Sequence, residues 1–196
     1  MIILKGLLIG FLMALPVGPT GAISARRALT QGYRSSLLSG IGASVADVVY
    51  LIILEFGESR FRLSFSSVWI RAIGGLLIVY VGATLLFTSR NATWHFKEPN
   101  RSDLGIFGTS LFMSLANPTI LVSLAVMLET FEVSDLVATG YSAALLTVSV
   151  FCGSAILWLI LARLLSNQRF LPIAYRAAGI FFISLGTGIV WIALSK

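Results

Sequence analysis

Asp47 is the only charged residue in the run Ser35–Leu54. A carboxyl near the middle of an apolar helix costs about 2.5–3.5 kcal/mol on membrane-insertion scales, and acids kept there carry protons or hold cations. Gly40, Ser44 and Asp47 recur at helical spacing and share one face, so the acid is expected to point at a packed interior. The chemistry such a residue offers is proton exchange or capture of an ammonium group. The plainer alternative is a structural acid held by a neighbouring hydroxyl.

Two short segments suit the opposite charge. Gly18-Pro19-Thr20 and Asn117-Pro118-Thr119 each set a proline inside an otherwise apolar run. Proline removes a backbone donor and obstructs the carbonyl four residues earlier, so each run is expected to break there. A break inside a bilayer exposes a helix N-terminus, whose amides and partial positive charge receive a carboxylate. Either proline alone would be an ordinary kink; two at corresponding positions point to a site.

The elements that must position these residues follow from composition. Hydrophobic residues make up 57% of the 196 and charged residues only 11%, where a soluble domain carries roughly a quarter charged. The mean hydropathy of +0.94 agrees. A membrane-spanning helix needs roughly 20 apolar residues. The runs Gly6–Ala25, Ser35–Leu54, Val68–Phe87, Leu104–Leu128, Leu136–Ala162 and Ala177–Ser195 therefore predict about six spans. Strict alternation is absent, which favours helices over a barrel. Lys5 before an apolar core also resembles a secretory leader. Because the run continues uncharged through Pro19 to Ala25, it is read as a retained helix.

The net charge of +6 is distributed between the apolar runs, so it reads as membrane topology and not as a nucleic-acid surface. Arg26, Arg27, Arg34, Arg90, Lys97, Arg101, Arg163, Arg169 and Arg176 fall in the linkers after the first, third and fifth runs. The positive-inside rule puts that side in the cytoplasm and both termini outside it. Lys5, Arg60, Arg62, Arg71 and Lys196 lie on the other side with Glu55, Glu58, Glu129, Glu132 and Asp135. The Arg26-Arg27 pair is read as a topology determinant. Tyr33, Trp69, Trp158, Tyr175 and Trp191 are read as interfacial anchors near helix ends. The lone Cys152 forms no intrachain disulfide, and His95 sits in a polar linker without a metal-ligand constellation. No cofactor is expected, and no nucleophile is paired with a base, so an enzyme is not expected.

The chain also resembles itself. Phe11–Thr20 matches Ser110–Thr119 at Leu12, Pro19 and Thr20, and Arg71–Ile78 matches Arg176–Ile183 at Arg71, Ala72, Gly74 and Ile78. The expected organisation is one transmembrane domain over 1–196, with repeat one at 1–90, a linker at 91–103 and repeat two at 104–196. Three spans per repeat force the second to insert upside down. Inverted repeats with broken first and fourth helices belong to secondary transporters.

Gly18-Pro19-Thr20, followed by Arg26, Leu29, Gly32, Arg34, Gly40 and Asp47, resembles the N-terminal signature of the LysE/RhtB amino-acid exporter family. Phe112 through Asn117-Pro118-Thr119 resembles its second hallmark, and the resemblance covers nearly the whole chain. It implies proton-driven export of amino acids or close derivatives across the bacterial inner membrane. It marks Gly18, Pro19, Asp47, Asn117 and Pro118 as site residues, with Thr20, Thr119 and Ser44 beside them. Thr20 departs from the asparagine usual in the family, which puts the substrate in doubt. With one acid in the membrane, a neutral amino acid is preferred to lysine or arginine. The alternatives are export of a metal cation, for which Asp47 and Cys152 make a poor site, and a membrane scaffold without cargo. The small-residue helix faces allow a homodimer but serve internal packing equally well.

Overall fold

The computed structural model describes residues 1–15, 18–61, 68–88, 102–133, 137, 139–165 and 171–194, and all regular structure among them is α-helical. Arg62, Arg90, His95, Lys97, Arg101, Asp135, Arg169 and Lys196 lie outside the described residues. So do the side chains of Gly18, Pro19, Glu58, Arg60, Trp69, Arg71 and Tyr175.

The first predicted span divides into α1 (Ile2–Met13) and α2 (Gly18–Thr30), with the Pro-Val-Gly-Pro stretch at the break. Gly32 then adopts φ +87, a left-handed turn that glycine makes without steric cost, and α3 (Tyr33–Phe61) follows. α4 covers Val68–Thr88. The fourth predicted span is α5 (Asp103–Leu115) and α6 (Pro118–Thr130), bent by 68° at the Asn-Pro step. α7 (Gly140–Leu165) and α8 (Leu171–Leu194) complete the chain.

Local chemistry explains the ends of α5 and α6. Ser102 caps α5, its hydroxyl accepting from Gly105 N. Asn117 caps α6 through Oδ1, accepting from Thr119 N at 3.1 Å, with Pro118 in the first turn where its missing donor costs nothing. The carbonyl of Leu115, freed at the end of α5, accepts from the Tyr50 hydroxyl at 2.5 Å.

Among the described residues, Tyr33–Glu55 and Gly140–Leu164 are long and apolar enough to cross a membrane, and the bent pair α5–α6 makes a third. Ile2–Met13, Gly74–Thr84 and Arg176–Trp191 are shorter apolar stretches. Polarity is distributed from the inside outward. Ser24, Ser36, Ser39, Ser44, Ser114 and Ser154 are fully buried, whereas Leu4, Leu76, Tyr80, Phe87, Ile160 and Ile180 face outward. Water would not tolerate so much exposed apolar surface, but lipid does.

The packing is repeat-like. α1 lies on α7 as α5 lies on α3, and α4 lies on α8. At the α4–α8 crossing, a Cβ on Gly82 would stand 2.8 Å from the Gly179 carbonyl, and one on Gly179 would stand 2.9 Å from the Gly82 carbonyl. Gly75 and Gly186 face each other in the same reciprocal way, at 3.0 and 2.6 Å. Since backbone and not a flexible side chain stands opposite, Gly82→Val is expected to destabilise the fold by about 1–3 kcal/mol. Thermal unfolding in detergent would register this as a lowered midpoint; an unchanged midpoint would mean that the crossing yields freely.

Charged residues from separate helices meet at the ends of the bundle. At one end Arg34 pairs with Asp103 at 2.5 Å, and Arg163 lies over the Tyr33 ring at 5.6 Å. Both Arg34 and Asp103 are exposed, so their pairing marks proximity more than stability. At the other end Lys5 Nζ donates to the Phe131 carbonyl at 2.6 Å, capping the C-terminus of α6.

Candidate functional site

α3 carries Asp47 into the bundle where it is only 4% exposed. The Ser154 hydroxyl of α7 donates to Asp47 Oδ2 at 3.2 Å, and Ser154 and Ser44 hydroxyl oxygens lie 2.7 Å apart. Ser44 in turn donates to the Gly40 carbonyl at 3.0 Å. Two hydroxyls supply only two protons for these three contacts. A proton on Asp47 supplies the third, running Asp47 to Ser154 to Ser44 to the Gly40 carbonyl, and without it Ser154 donates to the carboxylate. The chain therefore accommodates the acid with or without its proton, by hydroxyl rotation alone. Ser44 stands behind the acid in this chain.

Asp47 borders a cavity of about 40 Å³, room for a few waters. Thr20 and Gly21 reach it from the first turn of α2, and Asn117, Thr119 and Ile120 from the start of α6. Two helix N-termini thus border the same space as the buried acid. Ser114 closes the gap between the breaks, donating to Thr20 Oγ1 at 3.2 Å. The remaining wall is mostly apolar and aromatic, with Met13, Leu15, Trp158 and Phe182, and Ser123 adds a hydroxyl. Of the residues singled out in the sequence, Asp47, Thr20, Asn117 and Thr119 line the cavity. Gly18 and Pro19 lie in the first turn of α2, and Pro118 opens α6.

Two readings need correction. Trp158 is not an interfacial anchor: it is 3% exposed and lines the cavity. Arg27 is not a linker residue: it lies in α2 and is 1% exposed. Its guanidinium donates to Ser39 Oγ at 2.6 Å, Ser110 Oγ at 2.9 Å and the Ile106 carbonyl at 3.2 Å, tying α2 to α3 and α5. Ser24 bonds Ser36 at 3.1 Å in the same interface. By register, this layer lies between the cavity and the bundle end that carries Arg34 and Asp103. The signal was present in the sequence: Thr20, Ser24 and Arg27 on α2, and Ser110 and Ser114 on α5, each follow helical spacing on one face.

A body that is all-helical among the described residues, with an apolar exterior and a polar interior, is that of a membrane protein. The family model described as LysE type translocator matches residues 11–193, and the chain belongs to that family, whose members are transporters and not enzymes. The chain is 28% identical over 126 residues to YcgF of Bacillus subtilis (strain 168), a protein only proposed by its name to be an amino acid efflux protein. That match covers 60% of this chain and 57% of the relative's length. No solved structure matches.

Proposed function

We propose that the protein exports neutral amino acids or close derivatives from the cytoplasm, exchanging them for protons by alternating access. The observation that carries this reading is the cavity itself, bordered by two helix N-termini and one buried carboxyl. A zwitterion needs a partner of each sign. Its carboxylate is suited to the positive N-terminal ends of α2 and α6, and its ammonium to Asp47. The Asp47–Ser154–Ser44 chain supports proton exchange, because Ser154 bonds the acid in both protonation states, accepting from it when protonated and donating to it when ionised. Family membership and the name of the Bacillus relative support the cargo class.

The reading takes α1–α2, α3, α4, α5–α6, α7 and α8 as six spans, built as two inverted repeats over 1–90 and 104–196 with helices one and four broken. It sets the protein in the bacterial inner membrane with both termini outside the cytoplasm. The layer around Arg27 then closes the cytoplasmic side of the cavity in this conformation.

The test is flux in proteoliposomes, measured for a panel of amino acids with and without an imposed pH gradient. Uptake of at least one neutral amino acid, accelerated by the gradient, is the expected result. No flux for any amino acid under either condition would refute the assignment.

A further inference from the structure

Trp158 holds a buried hydrogen-bond donor that finds no acceptor among the described residues. Its Nε1 is inaccessible to solvent and has no hydrogen-bond partner among the described residues. Buried tryptophans ordinarily find an acceptor for this N–H, and an orphaned donor forfeits its hydration with nothing in return. The orphan belongs to a side chain that lines the cavity. The indole is also held in place from behind. A Cβ on Gly40 would meet Trp158 Cγ and Cδ2 and would stand 2.7 Å from its Cβ, so the ring occupies the space that glycine leaves on α3.

The bonds made by the neighbouring polar groups run elsewhere than to the indole. Asp47 accepts from Ser154, Thr20 Oγ1 accepts from Ser114, and Asn117 Oδ1 accepts from Thr119 N. An indole N–H only donates. What satisfies it is therefore an acceptor, and a solute in the cavity can bring one.

We infer that the Trp158 indole N–H donates to a carboxylate oxygen of the solute bound beside Asp47. The inference rests on the exporter reading and deepens it. Asp47 selects the ammonium end of a zwitterion, while Trp158 and the two helix N-termini select its carboxylate. Trp158 is thus a specificity residue that separates amino acids from amines with the same side chain.

Two measurements test this. In a variant with Trp69, Trp94 and Trp191 replaced by phenylalanine, Trp158 is the only remaining fluorophore of its kind. Its emission is recorded as neutral amino acids, and then the corresponding decarboxylated amines, are added. A saturable change with an amino acid and none with its amine is expected. In parallel, Trp158→Phe keeps a ring but removes the donor, and is expected to raise the half-saturating amino-acid concentration for flux about tenfold.

Normal flux with no emission change, or an unaltered half-saturation in Trp158→Phe, would overturn the inference while leaving the exporter reading intact; the N–H would then bond water only. An equal emission response to amine and amino acid would also overturn it. A carboxylate-dependent emission change without flux would uphold the role of Trp158 and remove transport. Silence in both measurements would remove both.

Discussion

Asp47→Asn is expected to abolish the response of amino-acid flux to an imposed pH gradient. Asparagine preserves the shape of the side chain and still bonds Ser154. It neither binds nor releases a proton, and it offers an ammonium group no charge. If Asp47 couples the two fluxes, gradient-driven transport falls to the level of protein-free liposomes, a loss of about a hundredfold or more, since removing the acid forfeits a charge-assisted interaction of about 1.5–3 kcal/mol as well as the proton carrier. Exchange of amino acid at equal concentration on both sides separates the two roles. Retained exchange without gradient response makes Asp47 the proton site alone, whereas loss of both makes it the ammonium partner too. Equal gradient-driven flux in variant and wild type would show that the Asp47–Ser154–Ser44 chain only holds α3 against α7.

The second large effect is expected at Arg27. Its guanidinium joins α2 to Ser39 of α3 and to Ser110 and the Ile106 carbonyl of α5. Hydrogen bonds to a charged donor contribute about 1.5–3 kcal/mol each. Arg27→Gln is too short to keep all three, and losing two shifts the balance away from the closed form by about a hundredfold. If this layer closes the cytoplasmic side, the cavity becomes reachable from that side. The measurement is labelling of a Ser114→Cys reporter, in a Cys152→Ser background, by a membrane-impermeant maleimide. Inside-out vesicles are compared with right-side-out cells. Arg27→Gln is expected to raise labelling in the vesicles several-fold and to leave the cells unchanged. Labelling raised equally on both sides would indicate general loosening, and no rise at all would make Arg27 a structural tie. Arg27→Lys, which keeps the charge but not the planar fork, is expected to lie between wild type and glutamine.

These expectations show which parts of the site were legible in the chain. Asp47 stood out because an isolated carboxyl in an apolar run is expensive in any lipid-embedded fold. The breaks stood out because proline cannot be accommodated silently inside a helix. In both cases a local property of a residue type is enough, with no need to know its neighbours. Arg27 and Trp158 were misread for the opposite reason. An arginine after an apolar run and a tryptophan late in one have the same local signature whether they face headgroups or the core. Their burial depends on which helix lies opposite, and here those are α3 and α5 for Arg27 and α3 at Gly40 for Trp158.

The sequence by itself determined a helical membrane protein, the positions of its breaks, its buried acid and its likeness to the LysE type translocators. Composition and the obligation to satisfy every backbone group in lipid leave little choice at that level. Only the tertiary structure decided that the two breaks and Asp47 border one cavity. It alone supplied Ser154 as the acid's partner, Arg27 as a tie within the bundle and a buried indole donor on a side chain of the cavity wall. Those facts depend on contacts between residues far apart in the chain, such as Asp47 with Ser154 and Thr20 with Ser114. Helical periodicity says which face of a helix is buried, but not which face of which other helix it meets.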